Sequence, residues 1–558
     1  MNHLLKHRAL MLLAWLSAMG SSTWAQDDRL FTQQELTHDA RELASILEQS
    51  HPDPYISGGG KIAFQRRFQT LLEDIPADGI TGERFYRLLL PFVATLRDGH
   101  TAILTPQTSA PPRPGLPLTF KIIDESLAVS GAVRKDNTSL RGALLLAVEG
   151  VPLSDLVQRQ NDLRGIENVY GTLALLTRSL GTERGLQHLL PEQTDAEKTR
   201  VTLRLVGGEI RDFIFERGER TDNPLAEPTT KVMLPDMSRS DVAWNFLDKN
   251  GEIALLKIDD MSSYREANED WIASGMSEGL EMARTAYQKF HGKAAPDQVE
   301  EILAGIPSAT NVFRDLVVAM KREGTKLLIV DLRENTGGND LMVRMLLYFL
   351  FGRESMSSDD EGFQISRYSE LYFQFYTDAS LEGLNRDRAV PLKVGDYDFS
   401  EERARGKGSD PAALSNVAAE ILERTPTFHK VFSQDLYENF YRPPHLVVLS
   451  SAWTYSSGFT MLAALEGRGA TVVGTPSAHA GNNFGDSLLF RLTNTQLRGA
   501  VSFKRNVTFP DDPEKGRCLV PDIILTHEKW ASLNFDPNAE VLLALESFRE
   551  KGQPKIGE

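Results

Sequence analysis

LVVLSSAWTYSSGFTMLAALEGRGATVVG, residues 446–474, is the stretch whose reading decides the fold of this chain. Leu446 to Leu449 is a short apolar run and reads as a buried strand. A polar turn follows, then a helix from about Ser456 to Glu466, then a second strand over Ala470 to Val473. A strand, a turn, a helix and a strand in this order are the unit of an α/β layer.

Working outward, the same alternation begins near residue 240. Ile253 to Ile258 is an apolar strand, and Val312, Phe313, Leu316, Val317 and Met320 mark one helix face. Lys326 to Leu332 is a buried strand, followed by Asn335-Thr336-Gly337-Gly338 and a helix through Leu350. Residues 353–440 are polar and read as an insertion or lid within a catalytic α/β region spanning 236–545. Before it, residues 109–235 carry short alternating runs and form a small β-rich module, with Gly142 to Leu153 as strand, tight turn and strand. Residues 26–108 read as an N-terminal helical region: Phe85, Leu88, Leu89, Phe92 and Leu96 follow helical spacing.

Serine hydrolysis needs an accessible hydroxyl, a base, a group that orients the base, and N–H donors for the oxyanion. The turn after Leu449 suits the nucleophile, because a helix N-terminus presents unpaired N–H groups. Ser456 and Ser457 both sit there, and a helix N-cap is the plainer reading of either. Gly337 and Gly338 end a second buried strand, where two glycines allow a carbonyl close to the backbone. Either N–H is a candidate oxyanion donor.

Three segments in this order resemble the tricorn/C-terminal-processing serine peptidase family. LRDGHT at 96–101, with HPDPY at 51–55 before it, is similar to the family's His-bearing segment. DLRENTGG at 331–338 resembles its oxyanion turn, and 451–478 resembles its nucleophile helix and following strand. GALLLAVEGVPL at 142–153 looks like its PDZ-like module. The resemblance implies a crotonase/ClpP-like ββα catalytic domain, with Ser456 as nucleophile ahead of Ser457 and the Ser457 N–H as second oxyanion donor. The processing members' catalytic Lys has no counterpart in Pro476 to Asn483, so the tricorn-like base is implied, which is His100 here, with His479 as a rival. Glu514 is the implied orienting acid, with Asp511 and Asp512 beside it. Phe459 stands where the family often has Glu, which keeps an inactive peptide-binding relative open, and an esterase on the same scaffold is the other alternative.

Composition fits these expectations. The 558 residues are 41% hydrophobic and 25% charged, enough for several globular domains. The start, with Lys6 and Arg8, an apolar run from Ala9 to Gly20 and Thr23-Trp24-Ala25, has the layout of a cleaved secretory signal over residues 1–25, and a periplasmic or secreted location follows. Its removal takes the net charge from −16 to −18, which disfavours nucleic acid and anionic membrane surfaces as partners. A peptide or protein is the expected partner. The single cysteine, Cys518, excludes an intramolecular disulfide and a Cys-rich zinc site, and it reads as a buried structural thiol. No His-Glu-x-x-His and no P-loop occurs, and no Gly-x-Ser-x-Gly elbow surrounds Ser456, so neither metal nor other cofactor is expected.

Overall fold

The structure is a computed structural model that describes residues 29–552 apart from 107–112, 133–139, 194–196, 219–231, 357–361, 387, 405–418, 420 and 435–439. The expected leader, residues 1–25, lies outside the described residues.

Three helices open the fold: α1 (Gln33–Ser50), α2 (Gly60–Glu73) and α3 (Gly82–Ala94). Thr32 caps α1 through a reciprocal pair with Glu35, the capping box that satisfies two otherwise orphaned N–H groups. Leu36, Leu43 and Leu47 of α1 and Phe85, Leu89 and Phe92 of α3 bury their side chains in one apolar cluster. The chain then leaves α3 through Leu96 to Thr101, the segment that carries His100.

A second unit is a sheet of β1 (Leu118–Ile123), β2 (Ser126–Ala132), β3 (Leu144–Val148), β4 (Lys198–Arg204) and β5 (Ile210–Glu216), paired antiparallel in that order. The period-2 pattern is plain in β4, where Thr199, Val201 and Leu203 point inward. Helix α4 (Val169–Leu180) packs Leu173, Leu176 and Leu180 into the same core.

The central sheet contains β6 (Val242–Phe246), β7 (Ile253–Ile258), β8 (Leu327–Asp331), β9 (His445–Ser450) and β10 (Thr471–Gly474), with Ile523–Ile524 at the far edge. Only β6 is antiparallel to its neighbour; the others run parallel. All five residues of β8 are buried, as expected of a parallel strand covered on both faces. Helices α5 (Leu341–Phe351) and α6 (Ser457–Glu466) cover one face. Trp530, Val541 and Ala544 cover the other. Register places Asp331 beside Leu449 and Ser450 beside Gly474, so the chain turns after β8 and β9 emerge at one end of the sheet.

A fourth layer braces that end. β11 (Asn482–Arg491) and β12 (Arg498–Val507) form an antiparallel ribbon, and Ala102–Ile103 pairs with β12 immediately after His100. Part of the 353–440 stretch joins the same layer, since Phe363–Arg367 pairs antiparallel with β12. Arg367 also donates to the carbonyls of Glu48 and His51, tying this stretch to α1. Leu488, Phe490, Val501 and Phe503 of the ribbon share the apolar cluster of α1 and α3. Among the described residues, Val299–Glu323 is the stretch apolar and long enough to cross a membrane, and Phe313, Leu316, Val317 and Met320 within it are core residues.

Candidate active site

Ser456 occupies the N-cap position of α6, yet its hydroxyl does not cap the helix. Its backbone lies at φ 51° and ψ −127°, a conformation that costs a non-glycine residue on the order of 1–3 kcal/mol. The turn holds it there through Asn335. Tyr455 N–H donates to the Asn335 carbonyl at 2.9 Å, Asn335 Nδ2 donates to the Ile258 carbonyl at 3.1 Å, and Asn335 Oδ1 accepts from Gly337 N–H at 2.9 Å. One buried asparagine thus ties the turn after β8 to the end of β7 through its side chain and to the turn after β9 through its backbone carbonyl.

The strained turn aims Ser456 Oγ at His100 Nε2, 3.1 Å away and 356 positions earlier in the chain. His100 is itself fixed on all sides. Its N–H donates to Asp98 Oδ1 at 2.9 Å, and its carbonyl accepts from Ser487 Oγ at 3.0 Å. The Asp98 carboxylate also accepts from Thr101 Oγ1 at 2.5 Å, Ser502 Oγ at 2.7 Å and His51 Nε2 at 3.2 Å. Burial works against that charge, but His51, His100 and Thr101 hold the carboxyl well below the usual carboxylate range. The HPDPY and LRDGHT segments therefore meet through a His51–Asp98 contact.

The other ring nitrogen, His100 Nδ1, lies 3.3 Å from the Tyr455 hydroxyl, which donates to Glu167 Oε1 at 2.9 Å. The tautomer follows: Nδ1–H donates to the phenol oxygen, leaving Nε2 to accept from Ser456. Burial lowers the His100 pKa, only partly offset by Asp98 and Asp486, so the neutral imidazole needed in a base is favoured. Glu167 is pushed up to about 8, first by burial and then by the nearby Asp98 charge. It also accepts from Gly99 N–H at 3.2 Å. At Gly99 a Cβ would stand 2.3 Å from the Tyr455 hydroxyl, so the close approach requires glycine. Ile166, Leu175, Tyr455 and Ala478 form a small apolar cluster that seats the tyrosine ring between the second unit and the central sheet.

Ser457 is buried and donates its hydroxyl to the Gly338 carbonyl at 2.7 Å, so Ser456 alone of the pair faces the imidazole. Gly337 and Gly338 differ as well. Gly337 N–H is committed to Asn335; at φ 107° a Cβ there would come within 2.6 Å of Ser456 Cβ. Gly337 is thus a packing position rather than an oxyanion donor. The N–H groups of Gly338 and Ser457 meet no acceptor among the described residues.

Glu514 is not brought to the imidazole. It lies on the short helix Pro513–Arg517, its side chain 81% exposed and paired with Arg517 at 2.9 Å. Asp512 caps that helix and Asp511 is exposed beside it. The acid that reaches His100, through Tyr455, is Glu167. Neither residue stands out in the sequence: Glu167 lies in no motif, and Tyr455 reads as part of the nucleophile turn. His479 is buried edge-on to both His100 and Tyr455, with Nδ1 3.3 Å from Asn483 Nδ2, and it makes no hydrogen bond to Ser456. Cys518 is half-buried rather than fully buried, and burial pushes its thiol up to about 11.

Residues 298–498 match the model of peptidase family S41. That segment holds the Asn335–Gly338 turn and Ser456, while His100 and Glu167 lie before it. No curated protein matches the chain. Among solved structures the chain is similar to mature CPAF, at 14% identity over 93% of this chain and 99% of that one, with a TM-score of 0.57. Mature CPAF complexed with lactacystin gives 15% identity, 92% and 99% coverage and a TM-score of 0.55. The photosystem II D1 C-terminal processing protease gives 14% identity, 90% and 95% coverage and a TM-score of 0.39. At these identities the CPAF likeness is one of fold.

Proposed function

We propose, from the premise that this chain is a serine-type peptidase of the S41 kind, that it cleaves peptide bonds through an acyl-enzyme on Ser456, with His100 as base and then acid. The observation that carries the reading is the 3.1 Å contact between Ser456 Oγ and His100 Nε2, with Tyr455 and Glu167 behind the imidazole. Ser456 gives its proton to Nε2 as Oγ attacks the scissile carbonyl. The N–H groups of Gly338 and Ser457 take the charge that develops on the carbonyl oxygen. His100 then returns the proton to the leaving amine, and water attacks the ester by the same route in reverse. The Tyr455 hydroxyl holds the imidazole in one tautomer, and Glu167 holds the hydroxyl.

The finer architecture belongs to the same proposal. The central sheet with α5 and α6 is read as the crotonase/ClpP-like layer, supported by its parallel strands and by a glycine turn and a nucleophile turn at one end. The β1–β5 sheet with α4 is read as a PDZ-like module, whose further role is to supply Glu167. Export through a cleaved leader is the proposed route, and the substrate is proposed to meet the enzyme outside the cytoplasm.

The test is acylation by a hydroxyl-directed probe, with the modified peptide located by mass spectrometry and hydrolysis of a peptide panel followed in parallel. Label on Ser456 in wild type, absent in Ser456→Ala and His100→Ala, is the expected result. A folded wild-type protein that takes no label and cleaves no peptide sinks the reading. Ester hydrolysis without peptide hydrolysis moves the substrate class.

A further inference from the structure

Behind the nucleophile, three side chains of the kind that bind transition metals converge. A ring nitrogen of His100, a ring nitrogen of His479 and a carboxylate oxygen of Glu167 lie within 4.8 Å of one another. They come from three separate segments: the loop after α3, the loop before α4 and the turn before β11. A second observation is independent of that convergence. Glu167 Oε2 is buried and has no hydrogen-bond partner, although buried polar atoms are almost always paired.

We propose that His100, Glu167 and His479 form a site for a divalent transition cation of the zinc class, and that its occupancy reversibly silences the peptidase. Two imidazoles and one carboxylate are the donors zinc favours, whereas magnesium and calcium call for oxygen ligands. A tetrahedral centre with bonds of about 2.0–2.1 Å holds its ligand atoms about 3.4 Å apart. Binding therefore requires side-chain rotations that draw the three ligand atoms together. The Tyr455 hydroxyl now bridges His100 Nδ1 and Glu167 Oε1, and the cation takes over both contacts.

The silencing follows from imidazole chemistry and rests on the reading of His100 as the base. A neutral imidazole has one N–H and one lone pair. A cation on Nδ1 forces the proton onto Nε2, which then faces Ser456 as a donor. A cation on Nε2 occupies the lone pair directly. In both cases no acceptor is left for the Ser456 proton. No covalent bond of the chain is made or broken and the coordination bonds are reversible, so a competing chelator undoes the effect.

Zinc binding to the chelator-stripped, full-length mature protein is measured by competition with a chromophoric chelator, with magnesium as the control ion. One zinc per chain is expected in wild type and in Ser456→Ala, with affinity at least tenfold weaker in His479→Ala and in Glu167→Gln. A thermal melt of each variant separates lost ligands from lost fold, and His479→Asn serves as a second variant. Zinc added to wild type is expected to stop peptide hydrolysis, and excess chelator to restore it. No zinc bound, or binding unchanged in both ligand variants, overturns the site. Stoichiometric binding with undiminished hydrolysis overturns the silencing. The binding measurement needs no activity, so one ion bound by a folded protein that is inert with and without zinc overturns the peptidase reading, and the silencing with it, and leaves the cation site standing.

Discussion

The Tyr455 hydroxyl donates to Glu167 Oε1 at 2.9 Å, which leaves the phenol oxygen to accept from His100 Nδ1–H, the tautomer in which the Nε2 facing Ser456 is unprotonated. A tyrosine adjacent to the nucleophile thereby carries the influence of a carboxyl group from a different unit of the fold.

Tyr455→Phe keeps the ring in its apolar seat and removes the relay. The expected outcome is a fall in kcat of about 10²-fold, with KM little changed and the melting temperature nearly that of wild type. Glu167→Gln keeps an acceptor for both Tyr455 and Gly99, so a fall of less than about tenfold is expected. Glu167→Leu removes the acceptor and is expected to match Tyr455→Phe. Steady-state kinetics on one peptide substrate checks all three. Wild-type kcat in Tyr455→Phe removes the relay from the mechanism.

Gly337→Ala puts a methyl group within 2.6 Å of Ser456 Cβ, at a φ of 107° that alanine disfavours. Loss of probe labelling at Ser456 is expected, with a stability cost of roughly 1–3 kcal/mol by denaturant titration. Unchanged labelling would show that the two turns do not constrain each other.

Ser457→Ala removes the hydroxyl that donates to the Gly338 carbonyl but leaves the backbone N–H in place. Labelling at Ser456 is expected to persist, with a stability loss of about 1 kcal/mol. Label moving away from Ser456 when Ser457 is intact would reverse the choice of nucleophile.

The end of β8 carries a pH-dependent contribution to stability. Burial alone would raise the Asp331 pKa, but the Arg333 guanidinium, at 2.8 Å, brings it down to about 2. Arg333 also pairs with Glu540 at 2.8 Å. Because the folded value lies below the unfolded one, the carboxylate stabilises the fold at pH values above about 3.9 and loses that effect as pH falls toward 2. The linked contribution is about 2 kcal/mol. Asp331→Asn is expected to be less stable than wild type at pH 7, with the gap narrowing below pH 4. Urea titrations across this range measure it. A gap that stays constant with pH means the pair contributes nothing through ionisation.

Periodicity and turn chemistry were enough to place β7 to β10 of the central sheet, though not its edge strand β6, together with the two turns at its end and the Ser456–Ser457 pair at the start of a helix. These are local properties: an apolar run must be buried, a glycine pair permits a sharp turn, and a helix start exposes N–H groups. Residues 446–474 contain an apolar run and a helix start within one short span, and the glycine pair follows the neighbouring strand at 337–338. The choice between Ser456 and Ser457 was not local, since both side chains belong to the same turn and only the position of His100 separates them. The orienting acid was further out of reach. Glu514 lies in a segment near the closing strand, whereas Glu167 lies in an unremarkable loop that α4 and the Ile166–Tyr455 cluster press against the nucleophile turn. A chain records which residues can bury or turn, through interactions a few residues long. Which acid meets which imidazole depends on how segments distant in sequence pack against one another, and that packing is a property of the tertiary structure alone.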